Sequence, residues 1–241
     1  MLELNNINVH YGRTQVLWDV DLTINDGEMV AVMGPNGSGK STVFKAITGL
    51  VPVSSGTIRL DGVDITNTSS HLMTGLGISL ILERRRLFPL MTVRENVRMG
   101  AYSLRNPESI QARFDDVASI FPIIEERGDA IASSLSGGQQ QMVAIARGLM
   151  SKPRLLIMDE PFLGLSPILV LETMKIMKAI NDDNTSVLFN EQNAKLSFEN
   201  SHRGYLLESG RVVLTGSGVQ MLEHPSKTYP SAFKKIATMG V

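Results

Sequence analysis

The chain has 241 residues, of which 43% are hydrophobic and 20% charged, and its formal net charge is -1. This length and apolar content support one large or two small globular domains and exclude a largely disordered chain. The near-neutral charge gives no electrostatic reason to expect nucleic acid as a partner, and the absence of cysteine excludes disulfides and thiolate metal sites.

The N-terminal sequence and the apolar runs bear on location. The start MLELNNINVHYG has no basic stretch followed by an apolar one, and no run reaches the roughly 18 apolar residues that a membrane-spanning helix needs. The sequence therefore predicts a cytoplasmic protein that does not cross a membrane on its own.

The N-terminal quarter is predicted to be rich in strands. The segments LELNNINVHY, VLWDVDLTI and MVAVM have the composition of strands, with NDGE as the turn before the last of them. Helical spacing begins at Lys40, and Gly49 is its expected stop. TIRLDGVDI then predicts a hairpin about Asp61 and Gly62.

The rest of the chain combines a helical stretch with alternating strands and helices. Residues 92–150 have mostly helical spacing, with Thr92 and Glu95 placed as a capping box and PES at 107–109 as an interruption. The expected elements after this stretch are strand LLIM, a helix over residues 167 to about 180, strand SVLF, a helix over residues 194 to about 202, and the hairpin GYLLESGRVVLTG. This order predicts an α/β fold with a parallel sheet and an antiparallel element at the front.

The segment GPNGSGKST, residues 34–42, fits the phosphate-loop pattern G-x-x-x-x-G-K-[ST] between a strand and a helix. Its glycines let successive backbone N–H groups point at one anion, and the helix adds the positive end of its dipole. Lys40 would bridge the β- and γ-phosphates, Ser41 would reach Mg²⁺, and Thr42 would be free for the α-phosphate. The alternative, an ordinary glycine-rich turn, does not account for the complete pattern. The predicted nucleotide contacts are Gly34, Pro35, Asn36, Gly37, Ser38, Gly39, Lys40, Ser41 and Thr42.

A second motif, RLLIMDEP at residues 154–161, places an acidic pair at the carboxyl end of a buried-type strand. Alone, such a pair is more often a strand end that meets solvent. Beside a phosphate loop, Asp159 would hold Mg²⁺, and Glu160 would act as general base on the attacking water.

The third motif, LSGGQ at residues 135–139, begins an apolar stripe typical of an ordinary amphipathic helix, with Ser136 and Gln139 spaced as a capping box. That interpretation does not explain Gly137 and Gly138, since each glycine weakens a helix by roughly 1 kcal/mol. LSGGQ, placed after GPNGSGKST and before MDEP, resembles the signature motif of the ATP-binding cassette (ABC) family. The resemblance to this family covers nearly the whole chain.

This resemblance implies a phosphate-loop NTPase core with a front antiparallel sheet and a helical arm that carries the signature. It implies a single nucleotide-binding domain over residues 1–241, with a helical subdomain inserted at roughly residues 90–152. Two chains would pair head to tail and hold ATP between the phosphate loop of one and LSGGQ of the other. Tyr11 would stack on adenine, although an exposed strand aromatic is the alternative. The contacts to the opposite nucleotide would come from Ser136, Gly137, Gly138 and Gln139.

Two positions depart from the common family pattern near the nucleotide. Glu83 replaces a glutamine that senses Mg²⁺, and its carboxylate must be paired, metal-bound or turned away from the γ-phosphate. The adjacent basic run, residues 84–86, could neutralise it, form a solvated loop, or contact a membrane partner. Ser166 replaces the aspartate of the loop between subunits and, before Pro167, also suits a helix N-cap.

A third departure lies in NEQNA, where Gln192 replaces a histidine that touches the γ-phosphate. A glutamine amide can donate to phosphate but cannot become cationic, so the contact is weaker by about 1 kcal/mol. We therefore expect slower or differently gated hydrolysis, with Lys40, Glu160 and Gln192 as the catalytic residues.

ERRRLFP, SLSGGQQQM and NEQNA together resemble the second ATP-binding subunit of branched-chain amino acid uptake transporters, which show EGRRLFP, LSGGEQQM and VEQNA. That group implies integral membrane permease subunits, a second ABC ATPase, an indirectly acting solute-binding protein, and a peripheral position on the inner face of the cell membrane. Phe88 and Pro89 would lie near the permease, or serve as loop packing. The alternatives are an amide or urea importer, a soluble non-transport cassette, and a phosphate-loop kinase or GTPase, which would leave LSGGQ unexplained.

Overall fold

A computed structural model describes residues 1–191 and 193–223, and within these ranges it contains ten strands and nine α-helices. The strands are β1 (Leu2–Tyr11), β2 (Thr14–Ile24), β3 (Met29–Met33), β4 (Ser55–Leu60), β5 (Val63–Asp64), β6 (Ile78–Ile81), β7 (Leu155–Met158), β8 (Ser186–Glu191), β9 (Arg203–Glu208) and β10 (Arg211–Ser217). The helices are α1 (Lys40–Ile47), α2 (Ser70–Met73), α3 (Val93–Arg98), α4 (Pro107–Ile120), α5 (Ile123–Glu126), α6 (Gly137–Leu149), α7 (Pro167–Asp182), α8 (Ala194–Glu199) and α9 (Gly218–Glu223).

The strands form two sheets. A four-stranded antiparallel sheet has the order β2-β1-β4-β5, and a six-stranded sheet has the order β10-β9-β3-β8-β7-β6. In the larger sheet β9, β3, β8, β7 and β6 run parallel, and β10 is an antiparallel edge strand. The predicted α/β fold with an antiparallel sheet is confirmed.

The six-stranded sheet is the middle layer, because the residues of β3 alternate between two cores. Val30 and Val32 belong to the core shared with α1 and the antiparallel sheet. Met29, Ala31 and Met33 belong to the core that is packed with α6 and α7. All five are buried, as expected for a parallel strand covered on both faces.

Four helices, α3 to α6, follow β6 in the chain and precede β7. The predicted capping box at the start of α3 is confirmed, since Thr92 accepts from the Glu95 backbone and donates its own N–H to Glu95 Oε2 at 2.7 Å. The expected interruption at residues 107–109 is wrong. Pro107 instead lies in the first turn of α4, directly after the N-cap Asn106. Proline is tolerated there because a first-turn backbone N–H has no hydrogen-bond partner within the helix.

Two further elements differ from the prediction. The edge strand β6 has only four residues, too few for a periodic signal, and it was not predicted. Helix α8 ends at Glu199, earlier than expected, because His202 is hydrogen-bonded to Met29 of β3. The backbone N–H of His202 donates to Met29 O at 2.8 Å, and Nδ1 of His202 accepts from Met29 N at 2.9 Å.

One buried amide holds the loop before α3. Asn96 has 0% exposure, and its Oδ1 accepts from Phe88 N at 2.8 Å. Its Nδ2 donates to the carbonyls of Phe88, Met91 and Thr92 at 3.0, 3.3 and 2.9 Å. Both the oxygen and the nitrogen of the side-chain amide are therefore hydrogen-bonded within one loop.

Asn96→Ala is expected to lower the free energy of unfolding by about 2 kcal/mol or more, because it leaves loop groups without partners and creates a cavity. Urea unfolding provides the measurement. Gln111→Ala is the control, since Gln111 is exposed and its loss is expected to change stability by less than about 0.5 kcal/mol. Equal stability of the two variants would contradict this account of the loop.

Candidate active site

The site begins at the loop between β3 and α1, where the chain turns too sharply for most residues. Gly34 has a φ of +153°, and a Cβ there would lie 2.1 Å from Leu207 O. Gly39, the N-cap of α1, has a φ of +106°, and no side chain caps the helix. The first-turn N–H groups of α1, which have no partner within the helix, are thus available to an anion.

Lys40 is the buried cation of this loop, with 5% exposure. Its Nζ donates to Gly34 O at 2.8 Å and to Pro35 O at 3.0 Å. Burial lowers the pKa of Lys40, and the carboxylates of Glu160 and Asp159 offset part of that effect. A bound phosphate would give the desolvated ammonium an opposite charge in place of neutral carbonyls.

A cavity of about 620 Å³ opens beside the loop, which is within the size range of sites for small ligands. The Ser38 hydroxyl is buried and has no hydrogen-bond partner in the part of the chain described. An ammonium, hydroxyls and backbone N–H groups are donors suited to a phosphate chain, so the residues fit a nucleotide. The cavity is lined by Val16, Asn36, Gly37, Gly39, Lys40, Ser41, Thr42, Glu83, Glu160 and Leu163.

The acidic pair follows β7, and a direct contact joins it to the loop. Ser41 Oγ donates to Asp159 Oδ1 at 2.8 Å, and Asp159 has only 4% exposure. The acidic pair therefore lies beside the phosphate loop, although β8 lies between β3 and β7 in the sheet. Helix α1 brings Ser41 across this gap.

These groups fit Mg²⁺ only together with phosphate oxygens and water. Among residues 1–191 and 193–223 no cluster of three or more acidic or histidine residues could hold a metal. One hydroxyl and one carboxylate, Ser41 and Asp159, are the donor set that a nucleotide-bound magnesium takes from a phosphate-loop protein.

Asn190, near the end of β8, has a role at the site that its sequence pattern alone did not indicate. Asn190 has 0% exposure, and its Nδ2 donates to Asp159 Oδ1 at 2.6 Å. Its Oδ1 accepts from the Glu160 backbone at 2.5 Å. Met158 of β7 lies opposite Phe189 of β8 in the parallel pair, so the residues that follow them, Asp159 and Asn190, are neighbours. The available signal was a polar residue at the end of an apolar run.

Glu83 lies two residues beyond β6 and lines the cavity. Its Oε1 is 3.3 Å from Arg84 Nε, so of the three expected arrangements the side chain adopts pairing. Such an exposed ion pair contributes less than about 1 kcal/mol. Arg84, Arg85 and Arg86 all have positive φ angles, and Arg147 donates to the carbonyls of the last two at 3.0 and 2.9 Å.

The signature residues 136–139 start α6, and none of them lines the cavity. Their predicted capping box is confirmed, since Gln139 N donates to Ser136 Oγ at 3.3 Å and Ser136 N to Gln139 Oε1 at 3.0 Å. Gly138 has a packing reason within the chain, because a Cβ there would lie 2.4 Å from Leu169 Cδ1. A single chain therefore does not bring its phosphate loop and its signature together.

Gly138→Ala is expected to be less stable than Gly137→Ala by about 1–3 kcal/mol, since both gain helix propensity but only the first overlaps Leu169. A Cβ at Gly137 meets only the far end of Arg85, at 3.2 Å. Urea unfolding of the two variants is the measurement. If Gly138→Ala were as stable as Gly137→Ala, the packing explanation for Gly138 would be wrong.

Three other residues that the sequence places at the site, Tyr11, Ser166 and Gln192, do not line the cavity or lie outside the described residues. Tyr11 is 45% exposed and pairs with Thr14 at the end of β1, and it does not line the cavity. Ser166 is the N-cap of α7, with Pro167 in the first turn, as predicted. Gln192 lies outside the described residues.

Comparison with known proteins decides the family. The model of the ABC transporter family matches residues 17–163. This chain belongs to the ABC transporter family. The predicted ABC fold is thereby confirmed, and the chain is an ATPase of that family.

Three similar proteins illustrate the family. The high-affinity branched-chain amino acid transport ATP-binding protein BraG of Pseudomonas aeruginosa is 37% identical over 93% of this ABC chain and 96% of BraG. The probable branched-chain amino acid transport ATP-binding protein LivF of Archaeoglobus fulgidus is 38% identical over 93% of this chain and 95% of LivF. The ADP conformation of the ABC transporter cassette MJ1267 has a TM-score of 0.88 at 25% identity, covering 100% of this chain and 99% of MJ1267.

No helix within residues 1–191 and 193–223 is both long and apolar enough to cross a bilayer.

Proposed function

We propose that this chain hydrolyses ATP to power the uptake of branched-chain or other hydrophobic amino acids through a separate membrane permease. The observation that carries the ATPase part is the contact between Ser41 and Asp159, which joins the phosphate loop to the acidic pair. The similarity to BraG and LivF, both named as branched-chain amino acid transport proteins, supports the substrate class.

The residues have separate roles in this proposal. The phosphate loop, residues 34–42, binds the triphosphate through backbone N–H groups, and Lys40 provides the charge that bridges the last two phosphates. Ser41 and Asp159 would hold Mg²⁺, and Glu83 lines the cavity and would contribute. The metal would supply charge neutralisation at the phosphates. Glu160 accepts the proton of the attacking water.

Gln192 would donate to the γ-phosphate, in place of the histidine of the common family pattern. Because an amide stays neutral, hydrolysis is slower or differently gated than with a cationic group. Glu83 would be able to hold Mg²⁺ only with its carboxylate freed from Arg84.

The chain forms a single nucleotide-binding domain over residues 1–241, with the helices from about residue 90 to about 152 as the arm that carries the signature. A second ABC ATPase, identical or different, completes the site. Residues 136–139 of one subunit contact the nucleotide bound to the phosphate loop of the other subunit. Tyr11 stacks on the adenine of the nucleotide bound to its own subunit's phosphate loop. The failure of these signature residues to line their own chain's cavity supports this arrangement.

The chain lies peripherally on the inner face of the cell membrane, where it is bound to integral permease subunits. A solute-binding protein delivers the amino acid and acts on the ATPase only through the permease. The exposed apolar side chain of Phe88, beside Pro89, provides a contact for the permease.

The test is to purify the tagged chain from membranes with its bound partners and to reconstitute the complex in vesicles. We expect permease proteins to co-purify, and leucine with its binding protein to stimulate ATP hydrolysis more than urea or a short amide does. Stimulation by urea alone would favour the amide importer, and retention on DNA or ribosomes without a permease would defeat the transport function.

A further inference from the structure

Asn190 is a polar residue that follows three apolar residues, Val187 to Phe189, in the buried strand β8. β8 reads SVLFNE, and its first five residues are all buried. Burying an amide in such a strand is unfavourable unless both of its ends are hydrogen-bonded.

Both ends of the Asn190 amide are used, and both partners belong to the acidic pair. Nδ2 donates to Asp159 Oδ1 at 2.6 Å, and Oδ1 accepts from Glu160 N at 2.5 Å. A side chain that served only to fill space would have neither contact. One residue thus links the orientation of the proposed metal ligand to that of the proposed general base.

The contact to Asp159 gains importance from its neighbour. Asp159 Oδ1 accepts from Ser41 Oγ as well as from Asn190, at 2.8 and 2.6 Å. A hydroxyl that gave a lone pair to a metal would keep its proton and could still donate it to Asp159, so both contacts would continue to hold the carboxylate.

The contact to Glu160 acts on the backbone. Glu160 has a φ of +50°, a left-handed conformation that is unfavourable for a residue with a side chain. A hydrogen bond from its N–H to a buried acceptor favours this conformation, which sets the direction of the Glu160 side chain.

We propose that Asn190 is a positioning residue that holds Asp159 and Glu160 in a fixed mutual orientation for ATP hydrolysis. The proposal rests on the ATPase function proposed above. It deepens that function by adding a residue that orients the acidic pair, and it gives Asn190 no contact with the substrate itself.

Asn190→Val is the test variant, because valine removes both hydrogen bonds of the amide while its apolar, β-branched side chain suits a buried strand. Ser186→Ala is the matched control, since Ser186 is also a buried polar residue of β8 but lies at the opposite end, where its Oγ accepts from Gly27 N at 2.9 Å. Thermal unfolding of the full-length variants shows whether their stabilities are comparable.

Asn190→Val is expected to lower kcat about tenfold while KM for Mg-ATP changes less than about twofold. In the ADP-loaded full chain, the Mn²⁺ concentration for half-saturation, followed by electron paramagnetic resonance, is expected to rise severalfold. Ser186→Ala is expected to change neither quantity, whatever it does to the melting temperature.

An Asn190→Val chain with the parent's kcat and Mn²⁺ affinity would overturn the proposal, as would losses matched by Ser186→Ala. The parent and Glu160→Gln are assayed in parallel. If the parent with its partners does not hydrolyse Mg-ATP, the proposed function fails, and the Mn²⁺ measurement alone then decides the role of Asn190.

Discussion

Glu160→Gln is expected to lower ATP turnover by at least about 100-fold while leaving Mg-ATP binding nearly unchanged, because the amide keeps the shape of the side chain but cannot accept a proton. Glu160 lines the cavity at the end of β7, and its backbone is anchored by Asn190. The measurement is phosphate release at saturating Mg-ATP, together with the affinity for a fluorescent ATP analogue.

Glu172→Gln is the control for this prediction. Glu172 lies exposed on α7, so its neutralisation removes the same charge from the chain without touching the cavity. A Glu160→Gln chain that retained more than about a tenth of the parent's turnover would contradict the role of Glu160 as general base.

Lys40→Ala is expected to weaken ATP binding by about 30- to 1,000-fold, which corresponds to about 2–4 kcal/mol for losing charge-assisted contacts to phosphate. Nζ of Lys40 lies 2.8 Å from Gly34 O and 3.0 Å from Pro35 O, at the mouth of the phosphate loop. Burial has already removed much of its water, so a phosphate replaces little hydration. The measurement is the equilibrium Kd for ATP.

Lys45→Ala is the matched control, since Lys45 lies on the same helix and does not line the cavity. We expect its ATP affinity to stay within about twofold of the parent. Equal affinities of the Lys40 and Lys45 variants would show that the buried ammonium does not bind phosphate.

Local chemistry explains which parts of the fold could be predicted from the sequence. The capping boxes at Thr92 and Ser136 and the hairpin at Asp61 and Gly62 depend on residues close in the chain, and all three are present. The phosphate loop likewise follows from the spacing of its glycines and Lys40. The apolar runs of β3, β7 and β8 identified the strands that position the site.

Strand order could not be predicted, because it depends on pairing between distant segments. β8 inserts between β3 and β7, and this order brings Asn190 to Asp159 and Glu160. The same limit applies to Gly138, whose close neighbour Leu169 belongs to another helix. Sequence patterns identified the residue types at the site, whereas the contacts among them required the fold.

The central claim is that ATP hydrolysis at this chain's site drives amino acid uptake. Its most direct test is leucine uptake into vesicles that contain the permease, both ATPase subunits and the binding protein, with ATP supplied at the face that holds the ATPases. We predict ATP-dependent leucine accumulation with the parent chain and its loss with Glu160→Gln. Accumulation that persisted unchanged with Glu160→Gln would contradict the claim.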